Sequence, residues 1–137
     1  MLFAPSARGE LAAWDQAKVT ALAKELIPPL EALGSDLESR PSVSGKEEAR
    51  ATLVNDLERL RSRARELAQR LASGAGRDET VALFREVEAL QSQATKHSLV
   101  YPAPFDMHVY IDRAHSTIIQ LTRYYGASPD SGAELQR

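Results

Sequence analysis

The chain has no cysteine. That excludes disulfides, thiol nucleophiles and every metal site built on thiolate ligands. Aromatic residues supply 6% of the sequence, so the apolar content is carried by Leu, Ala, Val and Ile, which suits helix packing. The formal net charge is −2, and no global charge calls for a nucleic acid or an acidic membrane. No apolar run approaches the roughly 20 residues that span a bilayer. The opening, "MLFAPSARGELAAW", has no long apolar stretch after a basic one, so no secretory signal is expected there. The expected location is the cytoplasm. Three chemical motifs are also missing: a phosphate-cradling Gly-rich loop, a His-Glu-x-x-His and a Gly-x-Ser-x-Gly elbow.

What is present is ordinary for a globular domain: 137 residues, 43% hydrophobic and 26% charged. Arg outnumbers Lys 13 to 4, which reads as codon bias in a GC-rich, bacterial genome. Four segments carry helical periodicity, over about 6–39, 44–73, 78–97 and 106–125. In the first, Leu11, Leu22, Leu26, Leu33 and Leu37 recur at three and four, with Val19 and Leu30 near the same stripe. Pro28-Pro29 interrupts it, which predicts a kink or two successive helices. In the second, Leu53, Leu57, Leu60, Ala64, Leu67 and Leu71 alternate by four and three, the pattern of a coiled-coil seam. Ser44 with Glu47 offers a capping box at its start, and Gly74 a left-handed cap at its end. Asp78 is the expected N-cap of the third helix, whose stripe is Leu83, Val87, Leu90 and Ala94, flanked by Phe84. The fourth opens with a Phe105–Tyr110 staple and carries Met107, Ile111, Ala114, Ile118, Leu121 and Tyr125. Residues 126–137 have too few apolar side chains to pack and are expected to be a disordered tail.

The expected fold is all-α: one antiparallel four-helix bundle over residues 1–125 with a long, kinked helical hairpin. Two helices of about 30 residues against two of about 20 leave the hairpin some 15 Å longer than its cover, from a rise of 1.5 Å per residue. The overhang should bare Leu30, Leu33, Leu37 and Leu53. The connection "SLVYPAPF", residues 98–105, is unusually apolar for a loop. Its Tyr101 and Phe105 either close over the short pair or join Leu30, Leu33, Leu37 and Leu53 in a partner-binding patch.

Chemistry has one candidate place. His108, Asp112 and His115 fall at i, i+4 and i+7, on one flank of the last helix's core stripe. They could ligate a divalent metal, or Asp112 could orient a histidine base. A di-iron bundle repeats such a motif and adds inward glutamates from other helices. Here Asp112-x-x-His115 occurs once, and no Glu lies on the seams of helices two and three. "RAHSTIIQL" resembles the His-bearing helix of phosphotransfer domains in its Ala-His pair, while Thr117, Ile118 and Ile119 stand where Lys-Gly is usual. Residues 59–70, "RLRSRARELAQR", hold five Arg against one Glu, a local charge of +4. Arg61 and Arg65 flank the seam on one side and Arg59, Arg63 and Arg70 on the other. That divides the charge and predicts acidic partners on neighbouring helices more than a phosphate-binding face.

No chemical constellation is complete, and an overhanging apolar hairpin needs cover. The expected function is therefore a small protein–protein interaction, adaptor or assembly module without catalytic activity. It would use no cofactor and no metal, and would bind a protein partner or a second copy. Nucleic acid and membrane insertion are not expected. The rival is a metal-dependent or His-based enzyme, or a phosphotransfer protein, centred on His108, Asp112 and His115.

Overall fold

The computed structural model describes residues 11–101 and 105–126. The expected tail at 127–137, and helical residues 6–10, lie outside the described residues. Four helices follow in order: α1 Gln16–Ser39, α2 Glu47–Ala72, α3 Arg77–Ser98 and α4 Phe105–Tyr125. α1 packs against α2 and α4, and α2 against α3. The α3–α4 seam is the thinnest, and the two diagonal pairs do not approach. This is the all-helical bundle that the periodicity predicts.

The helix ends are placed by local chemistry. α1 begins ten residues later than the leucine spacing suggests, because Asp15 caps it. The Asp15 carboxylate accepts from the Lys18 N–H at 3.1 Å, which satisfies one of the free donors of the first turn. Residues 11–15 are not helical, and the Ala12 N–H donates to the Arg123 carbonyl at 2.7 Å. Leu11, counted in the stripe, is exposed. α2 lacks the predicted capping box. Gly45 takes a left-handed φ of 81°, which a first helical turn starting after Ser44 does not allow, so the helix starts at Glu47 with Lys46 before it. Its other end matches the prediction. Gly74 sits at φ 100°. The N–H groups of Gly74 and Ala75 donate to the carbonyls of Leu71 and Arg70, both at 3.0 Å, which is a Schellman closure. α3 is capped at Gly76, not Asp78. The Gly76 N–H donates to the Glu79 carboxylate at 2.6 Å, while Asp78 adds negative charge to the first turn, where the helix dipole favours it.

Pro28 and Pro29 lie inside α1 without ending it. Their missing N–H groups leave the carbonyls of Lys24 and Glu25 without an intrahelical donor. Both of those residues are exposed, so the interruption lies on the side of α1 that faces away from the core. Two successive helices, one of the two predicted outcomes, do not form.

The core joins all four stripes. Val19, Ala23, Leu26, Leu30, Leu33 and Leu37 of α1 are buried with the whole α2 seam from Leu53 to Leu71. So are Phe84, Val87 and Leu90 of α3, and Met107, Ala114, Ile118 and Leu121 of α4. The predicted overhang is therefore corrected. Leu30, Leu33, Leu37 and Leu53 are each about 1% exposed and offer no surface in the folded chain. The reason is length. The helices hold 24, 26, 22 and 21 residues, about 36, 39, 33 and 32 Å at 1.5 Å per residue. At the α1–α2 turn, α2 starts three residues later than the spacing suggests and α3 runs on to Ser98, so little of the hairpin is left to overhang. A cavity of about 10 Å³ is lined by Leu30, Leu33 and Leu53 together with Ala94 and Thr95 of α3 and Met107 and Ile111 of α4, so the shorter pair reaches those leucines. It has room for one water at most. Tyr101, beyond α3, is buried in the same core. Among the described residues, no helix is long and apolar enough to cross a membrane.

Candidate functional site

The bundle has two unlike ends. At one, the starts of α1 and α3 meet the ends of α2 and α4, and polar side chains tie them together. The Gln16 amide donates to the carbonyls of Leu71 and Ala75 at 2.8 and 2.9 Å, and accepts from the Trp14 indole at 2.8 Å. Arg77 donates to the Tyr124 carbonyl at 2.7 Å and lies over the Trp14 ring. Arg85 donates to the carbonyls of Gly126 and Tyr125 at 2.8 and 3.1 Å. Two arginines thus satisfy the free carbonyls at the C-terminus of α4, where cations are favoured. Tyr125 stacks on Phe84 at 4.4 Å, and its hydroxyl shares a 2.7 Å hydrogen bond with Thr80. Burial pushes the Tyr125 hydroxyl above the usual tyrosine range, against smaller opposing effects of the Thr80 hydrogen bond and the Arg77 charge.

The opposite end is sparser. The α1–α2 turn is exposed from Ser39 to Glu48. The Arg50 guanidinium, on α2, donates to the Leu37 carbonyl at 3.0 Å. Across α2 and α3, His97 Nδ1 meets the carboxylate of Asp56. Asp56 is almost wholly buried, with 5% of its side chain exposed, while His97 keeps 40%. A carboxylate in that position needs a partner. His97 supplies it from the last turn of α3, alongside Lys96. Immediately beyond, Leu99 and Val100 are 77% and 57% exposed. They are the most exposed large apolar residues among those described. The apolar connection therefore divides: Tyr101 turns inward, and Leu99 and Val100 face solvent. The side chain of Phe105, and with it the predicted staple, lies outside the described residues.

His108, Asp112 and His115 do share a face of α4, but not as a half-buried flank. Asp112 and His115 are exposed, only His108 is half-buried, and Ile119 on the same line is exposed too. No hydrogen bond joins the three among the described residues. Nor do any three His, Cys, Asp or Glu residues there stand close enough to hold a metal ion. His97, which its sequence position lets approach His108, turns to Asp56 instead.

The arginine-rich stretch of α2 is tied to its neighbours. Arg63 bonds Glu66 at 2.6 Å and Glu86 of α3 at 3.5 Å. Arg65 pairs with Glu31 of α1, and Arg70 with Glu66 at 2.8 Å. Arg61 crosses α1 at Gly34, where a β-carbon would collide with its guanidinium. This crossing explains a glycine in the middle of a helix, which otherwise costs about 1 kcal/mol.

Leu99 and Val100 belong to the connection whose apolar composition stands out in the sequence, but the Asp56–His97 pair does not stand out. Asp56 occupies the same flank of the seam as Arg63 and Arg70, and its partner is 41 residues away. No protein-family model, curated protein or solved structure matches the chain.

Proposed function

We propose that the chain is a protein–protein interaction module whose contact surface is the sparse end of the bundle. The observation that carries this reading is the exposure of Leu99 and Val100 beside an otherwise well-buried core. Two adjacent aliphatic side chains at a helix end can anchor a contact. They cover too little area to form one alone, since a stable interface needs about 800 Å² per partner. The exposed α1–α2 turn, with Val43 at the same end, provides polar ground for the rest. The leucine seam takes no part, because it is consumed by the fold. The alternative of chemistry on the α4 face has no geometry in its favour.

A photo-crosslinking side chain at position 100, compared with one at exposed Ser116 on α4, tests the proposal in cells. One discrete adduct, specific to position 100 and lost on Leu99→Ser, is the expected outcome. Adducts equal at both positions, or unaffected by Leu99→Ser, would refute it. Sedimentation of the pure protein then tells a second copy from another partner.

A further inference from the structure

We propose that His97 is a phosphoryl-accepting histidine, with Nε2 as the nucleophile and an acyl phosphate as the donor. The argument begins with the Asp56 contact. A carboxylate at Nδ1 accepts the ring's N–H and fixes the tautomer in which Nε2 carries the lone pair. Asp56 is buried and its position is set by α2, so it orients the ring from a rigid support. The side chain is 40% exposed, and Asp56 occupies Nδ1, which leaves Nε2 as the ring nitrogen open to reaction. Of the three histidines, only His97 has a carboxylate partner among the described residues.

The surroundings suit an anionic donor. Lys96 is exposed in the same turn of α3. Arg59, one turn along α2 from Asp56, is exposed and has no ion pair among the described residues. That step is about 4.5 Å along the axis. Arg63 and Arg70, by contrast, are already engaged by Glu66 and Glu86. An acyl phosphate brings its own leaving group, a carboxylate. The transfer therefore asks the protein for a nucleophile and a partner for the ring proton, which His97 and Asp56 supply, and for a cation, for which Arg59 and Lys96 are the exposed basic side chains nearest along the two helices.

In the step itself, the Nε2 lone pair forms a bond to phosphorus. The bond from phosphorus to the acyl oxygen breaks, and its electron pair leaves with the carboxylate. The Nδ1 proton stays in the hydrogen bond to Asp56, whose negative charge balances the ring's positive one. Asp56 is thus a positioning residue, since it touches the ring and not the donor.

The test needs no protein partner, so it stands apart from the proposed docking role. Wild-type protein is incubated with acetyl phosphate, and nitrogen-linked phosphate is followed by phosphorus NMR and located by peptide mapping. The expected product is one phosphoryl group per chain on His97, acid-labile and alkali-stable. It should persist in His108→Gln/His115→Gln and vanish in His97→Gln. Asp56→Asn should slow labelling about ten- to a hundredfold, as loss of a histidine's carboxylate support commonly does. If that variant does not fold, Arg59→Gln replaces an exposed side chain and should still slow labelling several-fold. Absence of nitrogen-linked phosphate from the wild type, label at His108 or His115, or unchanged labelling of His97→Gln would each overturn the proposal.

Discussion

Removing either member of the Asp56–His97 pair should destabilise the fold, but by unequal amounts. In His97→Ala, a carboxylate with only 5% exposure loses its recorded partner. Stranding one charge of a fully buried pair costs about 3–5 kcal/mol. Here the histidine is 40% exposed, so its removal admits some water, and the lower figure of about 3 kcal/mol applies. In Asp56→Ala, the group left behind is the imidazole, already at the surface and readily hydrated. The loss is then one net hydrogen bond, about 1 kcal/mol. The double variant should resemble Asp56→Ala, because no buried charge remains to strand. The coupling between the two sites is thus about 3 kcal/mol, at the upper end of the range for residues in contact. Urea denaturation followed by circular dichroism measures all three differences, provided the slopes agree. If Asp56→Ala costs as much as His97→Ala or more, burial of Asp56 is not what the pair serves. If the two effects simply add, the contact carries no energy.

Leu60→Ala, at a fully buried seam position, should cost about 2–5 kcal/mol. A thermal melt showing less than about 0.5 kcal/mol, the range of surface changes, would mean that α2 is wrongly placed. Gly34→Ala should stabilise by about 1 kcal/mol in an Arg61→Ala background, from helix propensity. With Arg61 present the gain should disappear, since the new methyl would stand 3.2 Å from the guanidinium carbon; equal gains in both backgrounds would remove Arg61 as the reason for the glycine. The raised Tyr125 hydroxyl predicts a pH effect. Folding favours the protonated form, so this stability is complete below the usual tyrosine value of about 10 and declines as pH rises through the higher folded value. Tyr125→Phe should lose less stability than wild type between neutral and strongly alkaline pH. Parallel loss in both would exclude Tyr125.

The elements whose signals are periodic could be read without the structure. Every member of the Leu53–Leu71 seam is buried, and so are Leu83, Val87, Leu90 and Ala94. Three- and four-residue spacing reports which face of a helix meets the core, and four such faces in one short chain have few ways to pack. Signals that depend on a single residue were less legible. Asp15 halts α1 against a leucine pattern that runs on past it. Gly45 displaced the Ser44 cap for a similarly local reason. The α4 candidates share a face, as spacing requires, but spacing does not say that the face points to water. Asp56 shows a further limit. Its burial follows from the histidine that α3 brings to it, and no local pattern encodes a partnership across 41 residues.

The polar ties at one end also bear on how far the order of the chain matters. The Ala12 N–H bonds the Arg123 carbonyl, so the segment entering α1 and the segment leaving α4 lie side by side. At the far end, residues 39–48 are exposed, and no core side chain depends on that turn. A circular permutant that starts at Lys46, runs through α4, and returns through a short flexible linker into residues 11–40 should therefore rebuild the same bundle. In such a molecule the α1–α2 pairing would become a long-range contact and the α4–α1 pairing a local one. Folding would have to assemble in a different sequence, while the destination would stay the same.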